Sequence, residues 1–237
     1  MRIRTPGWWI ADYIYGAWLH LRAPWMRVPK HYRLGDPSKP VVLILPGVYE
    51  DWSFLAEICD RLNRAGYRVS VVRGLGYNLL PIAETAARLV RALSRLDTPR
   101  AGRVIVAHSK GGLVGKQLMI AAKRDLGILG MVAIATPFRG SRYARYVLDP
   151  YLRTFMPTNE TILALGAESS VNADIVSVYG TFDPHVPDGS DLDGATNVSL
   201  EVHGHFRILR APQTHDAVED AVGRLTQKNS ARLSCDR

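Results

Sequence analysis

A serine that could act as a nucleophile follows an apolar, strand-like run. Residues 104–108 read VIVAH and lead directly into Ser109, Lys110 and Gly111. A serine hydroxyl is raised above the end of a strand by a very sharp turn, in which the residues two before and two after the serine must be small. Ala107 and Gly111 meet this requirement, with alanine where glycine is usual. We predict that Ser109 lies on a strand-to-helix turn with its hydroxyl placed to attack a carbonyl group.

An acid and a histidine follow the serine along the chain. The apolar stretch 174–180 leads to Asp183, and the next strand-like stretch, 197–202, leads to His205. Because ligands of open α/β sheets bind beyond the carboxyl ends of the strands, these side chains are expected to meet at one edge of the sheet. We predict a triad in which Ser109 attacks, His205 transfers the proton and Asp183 orients His205.

These motifs resemble those of lipases and esterases of the α/β-hydrolase family. The resemblance rests on the serine turn, on the order serine, acid, histidine, and on the string ATPFRGS at 135–141, and it covers about residues 40 to 226 of the 237. It implies a carboxylic ester hydrolase that forms an acyl-enzyme and needs no metal or organic cofactor. It also implies that the backbone amides of Val48 and Lys110 form the oxyanion hole, after the first strand and after the nucleophile.

His205 is preferred as the base because Gly204-His205 followed by apolar residues resembles the family's catalytic loop. His203 would share a strand face with His205, which is also the geometry of a metal-binding pair. No third metal ligand lies at a recognisable spacing from this pair of histidines, so no metal is predicted. A metal site at the pair stays open as an alternative. His108 is expected to be structural and His215 to lie on the surface. The histidines weighed against His205 are His108, His185, His203 and His215.

Asp183 is preferred as the acid because it lies close to the end of its strand, where a carboxylate can accept the Nδ1–H of histidine. Asp188, Asp191 and Asp193 follow on the same loop and are expected to be turn or solvent-exposed residues. The side chain of Lys110 is expected to point to solvent, since its predicted role is that of its amide.

Hydrophobic periodicity supplies the elements that position these residues. Buried strands are predicted at 41–45, 67–73, 103–108, 130–136, 174–180 and 197–202. Helices are predicted near 52–65, 81–96, 110–124 and 212–226. This alternation predicts an α/β-hydrolase fold with a mostly parallel sheet of about six to seven strands, covered by helices on both faces. The connector 29–40 leaves room for one short edge strand.

The predicted domains are an amino-terminal segment, 1–35, and a hydrolase domain, 36–237, with a small cap inserted at about 141–170. The first 30 residues hold four of the five tryptophans and five basic residues against one acid, Asp12. Thr5 and Pro6 start a helix there and Pro24 stops it. Apolar residues fill most of its circumference and leave one narrow stripe, made of Asp12, Gly16 and His20.

Three interpretations of this helix stay open. It packs on the domain or on a second subunit, it lies in a membrane interface, or it is an export signal. The signal is the weakest of the three, because Asp12 and His20 interrupt the apolar run and residues 21–24 make a poor cleavage site. We expect a cytoplasmic protein, with peripheral contact to a membrane through this helix as the alternative; the oligomeric state is left open.

Composition is that of one globular domain, with 47% hydrophobic and 22% charged residues. The net charge is +8, but lysine and arginine are scattered and no nucleic-acid-binding motif is present, so no nucleic-acid partner is predicted. Cys59 and Cys235 are far apart and indicate neither a disulfide nor a cysteine metal site. No apolar stretch is long enough to predict a membrane-spanning helix.

The expected substrate is an acyl ester, with a lipid as one form of it. Apolar residues of the predicted cap could line an acyl pocket or form that segment's own core; they are Tyr146, Val147, Leu148, Tyr151, Leu152, Phe155 and Met156. Two other classes stay open. A thioesterase or acyltransferase would use the same triad, and a non-enzymatic, membrane-associated adaptor would keep the fold without using it.

Overall fold

The computed structural model describes the backbone of residues 5–72 and 74–235 and the side chains of 7–72 and 74–228. The predictions that involve Arg2, Arg4 and the side chains of Thr5, Pro6 and Cys235 lie outside these residues. Within them, six strands form one sheet in which every neighbouring pair is parallel, in the order β2-β1-β3-β4-β5-β6. The strands are β1 Val41–Leu45, β2 Arg68–Val71, β3 Arg103–His108, β4 Ile128–Ile134, β5 Ile175–Phe182 and β6 Thr196–His203.

Helices cover both faces of this sheet. They are α1 Thr5–Arg22, α2 Ala56–Arg64, α3 Ile82–Leu93, α4 Lys110–Ala122, α5 Pro150–Arg153, α6 Glu160–Ala167 and α7 Pro212–Cys235. Side chains alternate along a strand, so Val42 and Ile44 pack with α1, α2 and α7, whereas Leu43 and Leu45 pack with α3, α4 and α6. The fold prediction, a parallel sheet between two helical layers, is confirmed.

Some boundaries differ from the predicted ones. β4 runs over Ile128–Ile134 rather than 130–136, because the backbone turns sharply at Ala135, which has φ 49°. The predicted helix 52–65 begins with a 3₁₀ turn, Trp52–Leu55, before α2. The connector holds a 3₁₀ turn, Lys30–Arg33, rather than an edge strand. α7 continues past 226, where its apolar pattern no longer marks it.

The amino-terminal helix, α1, packs on the domain along one face. Tyr15 and Leu19 are buried in the core beside α2 and α7, and Asp12 is fully buried. The opposite face is exposed and apolar; its large side chains are Ile10, Ile14, Trp18 and Leu21. The described part of the chain contains no helix long and apolar enough to cross a bilayer.

The segment between β4 and β5, where the sequence predicts a small cap, consists of short helical elements and is called the cap below. It contains a 3₁₀ turn, Arg142–Tyr146, and the short helices α5 and α6. Asp149 caps α5 by accepting hydrogen bonds from the N–H groups of Tyr151 and Leu152, and Asn159 caps α6. The cap lies beside the carboxyl end of the sheet, where the predicted catalytic residues also lie.

Candidate active site

Ser109 lies on a strained turn between β3 and α4. Its backbone adopts φ 51° and ψ −122°, a conformation that L-residues rarely take. A side chain at Gly111 would collide with the carbonyl oxygen of Leu45, and one at Gly112 would collide with Thr136. Ala107 is fully buried and pairs with Leu45 across the sheet. The small residues therefore let α4 start close against β1, which is the geometry the sequence predicts for a nucleophile turn.

The structure brings the side chains of Ser109, His205 and Asp183 into one hydrogen-bonded chain. Ser109 Oγ lies 2.9 Å from His205 Nε2, and His205 Nδ1 lies 2.7 Å from Asp183 Oδ2. With His205 neutral, the serine hydroxyl donates to Nε2 and the Nδ1–H donates to the carboxylate. All three residues follow the carboxyl ends of strands β3, β5 and β6.

Asp183 is held independently of His205. Its other oxygen, Oδ1, accepts hydrogen bonds from the backbone N–H groups of His185, at 2.7 Å, and Val186, at 3.0 Å. Burial would raise the pKa of Asp183, but the charge and hydrogen bond of His205 outweigh burial and hold that pKa below its ordinary value. Asp183 is therefore an ionised acceptor in a fixed position.

His205 is tuned toward accepting a proton. Burial alone would lower its pKa, but the charge and hydrogen bond of Asp183, with smaller effects from Glu50 and Asp12, raise the pKa above its ordinary value of 6.5. The same arrangement would stabilise an imidazolium at His205.

The two predicted oxyanion donors are the backbone amides of Val48 and Lys110. Among the described residues, neither Val48 N–H nor Lys110 N–H donates a hydrogen bond to the protein. Val48 lines the same cavity as Ser109, and Lys110 directly follows it at the start of α4. Both amides are therefore available to an oxygen bound at Ser109.

The side chain of Lys110 is not in solvent, contrary to prediction. It is buried, and its Nζ donates to the carbonyl oxygens of Asn78, at 2.6 Å, and Leu80, at 2.7 Å. Burial lowers the pKa of Lys110 to about 8. Asn78 in turn donates to the carbonyl oxygen of Pro46 at 2.8 Å. The lysine thus joins the nucleophile turn to the loops after β1 and β2, and these long-range partners gave no signal in the local sequence.

A buried pair, Glu50 and His108, was missed as part of the site. His108 Nδ1 lies 2.8 Å from Glu50 Oε1, and Glu50 Oε2 accepts the N–H of Gly47 at 2.7 Å. His108 Nε2 donates to the backbone carbonyl of His205 at 3.0 Å. The pair therefore connects the loop before Val48, the end of β3 and the loop of His205. His108 is structural, as expected, but it acts on the site itself.

The side chains of His185, His203 and His215 take no part in the chain of hydrogen bonds from Ser109 through His205 to Asp183. His203 stacks on Trp8, with ring centroids 3.8 Å apart, and does not pair with His205. His185 lies beside His205, with ring centroids 4.8 Å apart, and burial and the charge of His205 lower the pKa of His185 to about 3. His215 bonds to the carbonyl oxygen of Leu209 at 2.8 Å, so it is partly buried rather than a free surface residue.

One group of potential metal ligands occurs among the described residues, and it is not the predicted alternative pair. It consists of Glu50, His108 and His205. The four ring nitrogens of the two histidines already have hydrogen-bond partners: Glu50, Asp183, Ser109 and the carbonyl oxygen of His205. A metal would have to displace these bonds, so the group fits a hydrogen-bonded network better than a metal site.

Two of the aspartates that follow Asp183 on its loop form ion pairs with arginines at or just before the start of the cap. Asp188 pairs with Arg142 and accepts its backbone N–H at 2.7 Å, and Asp191 pairs with Arg139. The Asp191 side chain is exposed, as expected, and that of Asp188 is only partly so, but the two ion pairs were not predicted. They fix the start of the cap segment to the loop that carries Asp183.

A cavity of about 640 Å³ opens beside Ser109 and His205. Its walls come from α1, from the loop after β1 and from the cap, and they are predominantly apolar. Four of the predicted acyl-pocket residues line it: Tyr146, Val147, Leu152 and Phe155. Leu148 and Tyr151 are exposed instead, and Met156 packs against the core. The size and lining suit a long apolar ligand. The part of the wall supplied by α1 was not predicted: Trp9, Tyr13, Gly16, Ala17 and His20.

No protein-family model matches the chain, and no curated protein matches it either. Several solved structures, however, are similar to this chain. Aspergillus fumigatus lipase B superposes with a TM-score of 0.66 at 17% identity, over 83% of this chain and 55% of the lipase. The chain therefore spans about half the length of that lipase.

Two further structures match over most of their own length. Bacillus licheniformis lipase BlEst2 superposes with a TM-score of 0.63 at 14% identity, over 79% of this chain and 94% of the lipase. The thioesterase domain from the curacin biosynthetic pathway gives 0.54 at 17% identity, over 80% and 92%. This chain has the α/β-hydrolase fold, so the resemblance stated from the sequence is confirmed at the level of the fold.

Proposed function

We propose that the protein is a serine hydrolase that cleaves carboxylic acyl esters through Ser109, His205 and Asp183. The observation that supports this best is the continuous chain from Ser109 Oγ through His205 to Asp183, with steps of 2.9 and 2.7 Å. A strained serine, two amides without acceptors and an apolar cavity surround this chain. Each of these features has a role in acyl transfer.

In the acylation step, His205 Nε2 takes the proton of Ser109 while Oγ forms a bond to the ester carbonyl carbon. The negative charge moves to the carbonyl oxygen, where the amides of Val48 and Lys110 stabilise it. His205 then gives its proton to the departing alkoxide, so an alcohol leaves and the acyl group stays on Ser109. In deacylation, water gives a proton to His205 and attacks the acyl carbon; Ser109 recovers its proton and a carboxylic acid is released.

A thioester substrate, or an acceptor other than water, is the alternative supported by a specific observation. One structurally similar protein is a thioesterase domain. The steps at Ser109 and His205 would be the same, with a thiolate as the leaving group or an alcohol in place of water. Comparing p-nitrophenyl esters from C2 to C16 with acyl thioesters of the same chain length, with and without added alcohol, separates these reactions.

The test of the proposed reaction is active-site labelling combined with turnover. The wild type should react with a serine-directed fluorophosphonate and hydrolyse p-nitrophenyl esters without any added metal. Ser109→Ala should stay folded, refuse the label and lose on the order of 10⁴–10⁶ in kcat, since members of a triad act as a unit. A folded Ser109→Ala that keeps a tenth of the turnover would refute the assignment, and a wild type that neither labels nor turns over would favour an adaptor.

We also propose that the cavity opens toward an anionic membrane surface. Tyr13 of α1 and Tyr143 and Tyr146 of the cap line the cavity and are exposed. The guanidinium of Arg22 lies 4.4 Å from the ring of the exposed Trp18, and that of Arg145 lies 5.6 Å from the ring of Tyr146. Aromatic and aliphatic side chains beside arginines suit the headgroup region of a bilayer with anionic lipid. An acyl chain could then enter the cavity from the membrane.

A further inference from the structure

The proposed mechanism does not use one fully buried carboxylate beside the site, that of Asp12 on α1. Its Oδ2 accepts the backbone N–H of His205 at 3.0 Å. Its Oδ1 accepts the N–H groups of Phe206 and Arg207, each at 2.9 Å. A residue near the start of the chain therefore bonds to three consecutive amides of the loop that carries the proposed base.

Two glycines leave room for the contact between Asp12 and the His205 loop. Gly204 adopts φ 116°, and a side chain there would collide with Asp12 Oδ1. A side chain at Gly16, one turn along α1 from Asp12, would lie 2.7 Å from the ring of Phe206. Two glycines, one on each partner, thus allow the helix and the loop to approach closely. Of the narrow stripe, Asp12 and Gly16 lie on the buried face of α1 together with Tyr15 and Leu19, whereas His20 is exposed.

The backbone of His205 is held from both sides. Its N–H donates to Asp12 on α1, and its carbonyl oxygen accepts from His108 at the end of β3, at 3.0 Å. Its ring is then directed by Asp183. The side chain of a proton-transfer residue can be placed within tenths of an ångström only when its own backbone is fixed, and a displacement of about 1 Å can reduce the rate about 10²-fold.

We propose that Asp12 is a positioning residue for catalysis, which holds the His205 loop in the geometry that proton transfer requires. This inference rests on the proposed serine hydrolase function. It makes α1 a part of the active site rather than an attachment to the domain, although Asp12 contacts neither the substrate nor the reacting atoms.

The proposed role of Asp12 and a purely structural role make different predictions. The reason is that the carboxylate also interacts electrostatically with His205. The titratable groups that face His205 are Asp183 and His185 after β5, His108 on β3, Glu50 after β1 and Asp12 on α1. Asp12 is one of those that raise the pKa of His205. Its loss should therefore lower the pH at which His205 becomes protonated and activity falls.

The test uses Asp12→Asn in the full-length protein, with kcat, KM and the pH profile measured on a short, soluble ester. An amide cannot accept all three N–H groups, so we expect kcat to fall roughly 10- to 100-fold with KM within about twofold. The acid limb of the pH profile should move to lower pH. Unchanged kcat and an unmoved limb in the folded variant would overturn the proposal.

Asp174→Asn is the matched control. Asp174 is also a buried carboxylate, but it lies at the start of β5 and pairs with Lys123 and Lys228, away from His205. Its substitution should lower the melting temperature and leave kcat and the pH limb unchanged. If both variants lose activity in proportion to stability alone, Asp12 is structural and the inference is wrong.

A second variant keeps the inference testable if Asp12→Asn does not fold. Gly16→Ala retains the charge of Asp12 but places a methyl group 2.7 Å from the ring of Phe206, so the ring or α1 must shift. We expect this shift to disturb the His205 loop and to reduce kcat by at least several-fold; a folded Gly16→Ala with full kcat contradicts the inference. Ser109→Ala separates this result from a failure of the proposed function. An active Ser109→Ala refutes the function, whereas an inactive one beside a fully active Asp12→Asn refutes only the role of Asp12.

Discussion

The two sides of the cavity are built differently. On the side of the sheet, Ser109, Asp183 and His205 each stand one or two residues beyond a strand, and their polar atoms bond to one another. On the other side, Tyr13 and Tyr143 belong to α1 and to the cap and are partly in solvent. If the proposed function is right, the sheet sets the geometry of the chemistry, whereas α1 and the cap set which substrate reaches it and from where.

Helix α1 contributes to both sides of the cavity. Asp12 accepts a hydrogen bond from the loop that carries His205, and Leu19 is buried in the core. Ile10 and Ile14 are exposed on the opposite face. The apolar arc of α1 is wide because it covers two faces of the helix. One face packs on the domain, and the opposite face is available to a second partner. The interpretation that the helix packs on the domain therefore does not exclude a membrane contact.

The largest effect is expected on the sheet side, and it separates two neighbouring histidines. His205→Ala should lose on the order of 10⁴–10⁶ in kcat, because proton transfer from Ser109 has no other base. His203→Ala should keep most activity, since its ring stacks on Trp8 rather than facing Ser109. Turnover of p-nitrophenyl butyrate measures both.

Chelator treatment of the wild type completes this comparison. The proposed reaction has no metal step, so turnover should be unaffected by EDTA. Equal inactivation of the two histidine variants together with inhibition by chelator would instead support a metal held by the pair, and would contradict the proposed mechanism.

Asp183→Asn should have the next largest effect and should change the pH profile. The reaction needs neutral His205, so activity is present above the pKa of His205 and is lost as pH falls through it. Asp183 is the main group that raises this pKa above 6.5. Its loss should move the acid limb to lower pH while the plateau of kcat falls by about 10⁴. An acid limb that stays in place would assign the base to another group.

The sequence could predict the sheet side of the cavity because its signals are local. Each strand is a short apolar run, Gly111 stands at a fixed distance from Ser109, and Asp183 and His205 follow their strands within a few residues. The position of the site beyond the carboxyl ends of the strands then follows from a general rule of parallel sheets.

The contacts that join distant segments could not be predicted in this way. Asp12 reads as an interruption of an apolar helix, yet its partners lie more than 190 positions away. Lys110 reads as a solvent residue, because nothing near it in sequence shows that Asn78 and Leu80 supply two carbonyl oxygens. Glu50 and His108 are likewise 58 positions apart. Pairs like these are set by the fold and not by periodicity.

A smaller effect is expected where the sheet side depends on close packing. A methyl group at Gly111 would collide with the carbonyl oxygen of Leu45, so Gly111→Ala should destabilise the protein by about 1–3 kcal/mol. By displacing Ser109, it should also reduce kcat by about 10². Urea unfolding and ester turnover measure the two effects.

Gly166→Ala in α6 is the control for this change. Among the described residues, no atom beyond its chain neighbours and the backbone of α6 lies within 4 Å of the position that its methyl group would occupy. Because alanine favours a helix over glycine, this variant should gain about 0.5–1 kcal/mol and keep its activity. Equal stability losses at both positions would show that the turn at Ser109 is not specifically tight.

The smallest effect is expected on the outer side, at the exposed face of α1. Ile14→Ser removes one apolar side chain from the proposed membrane contact, and transfer of such a side chain is worth about 1.5 kcal/mol, or roughly tenfold in affinity. Cosedimentation of the full-length protein with vesicles containing anionic lipid measures this change. High salt should weaken binding without abolishing it, because arginines and apolar side chains both contribute.

Leu96→Ser makes this last experiment decisive, because Leu96 and Ile14 are similarly exposed, at 60% and 65%, and only Ile14 lies on α1. If the membrane binds α1, Ile14→Ser should lose affinity and Leu96→Ser should not, while both hydrolyse a short, soluble ester like the wild type. Equal losses would indicate a general effect of surface hydrophobicity. Absence of vesicle binding by the wild type, together with a stable dimer in solution, would assign the exposed face of α1 to a second copy of the chain.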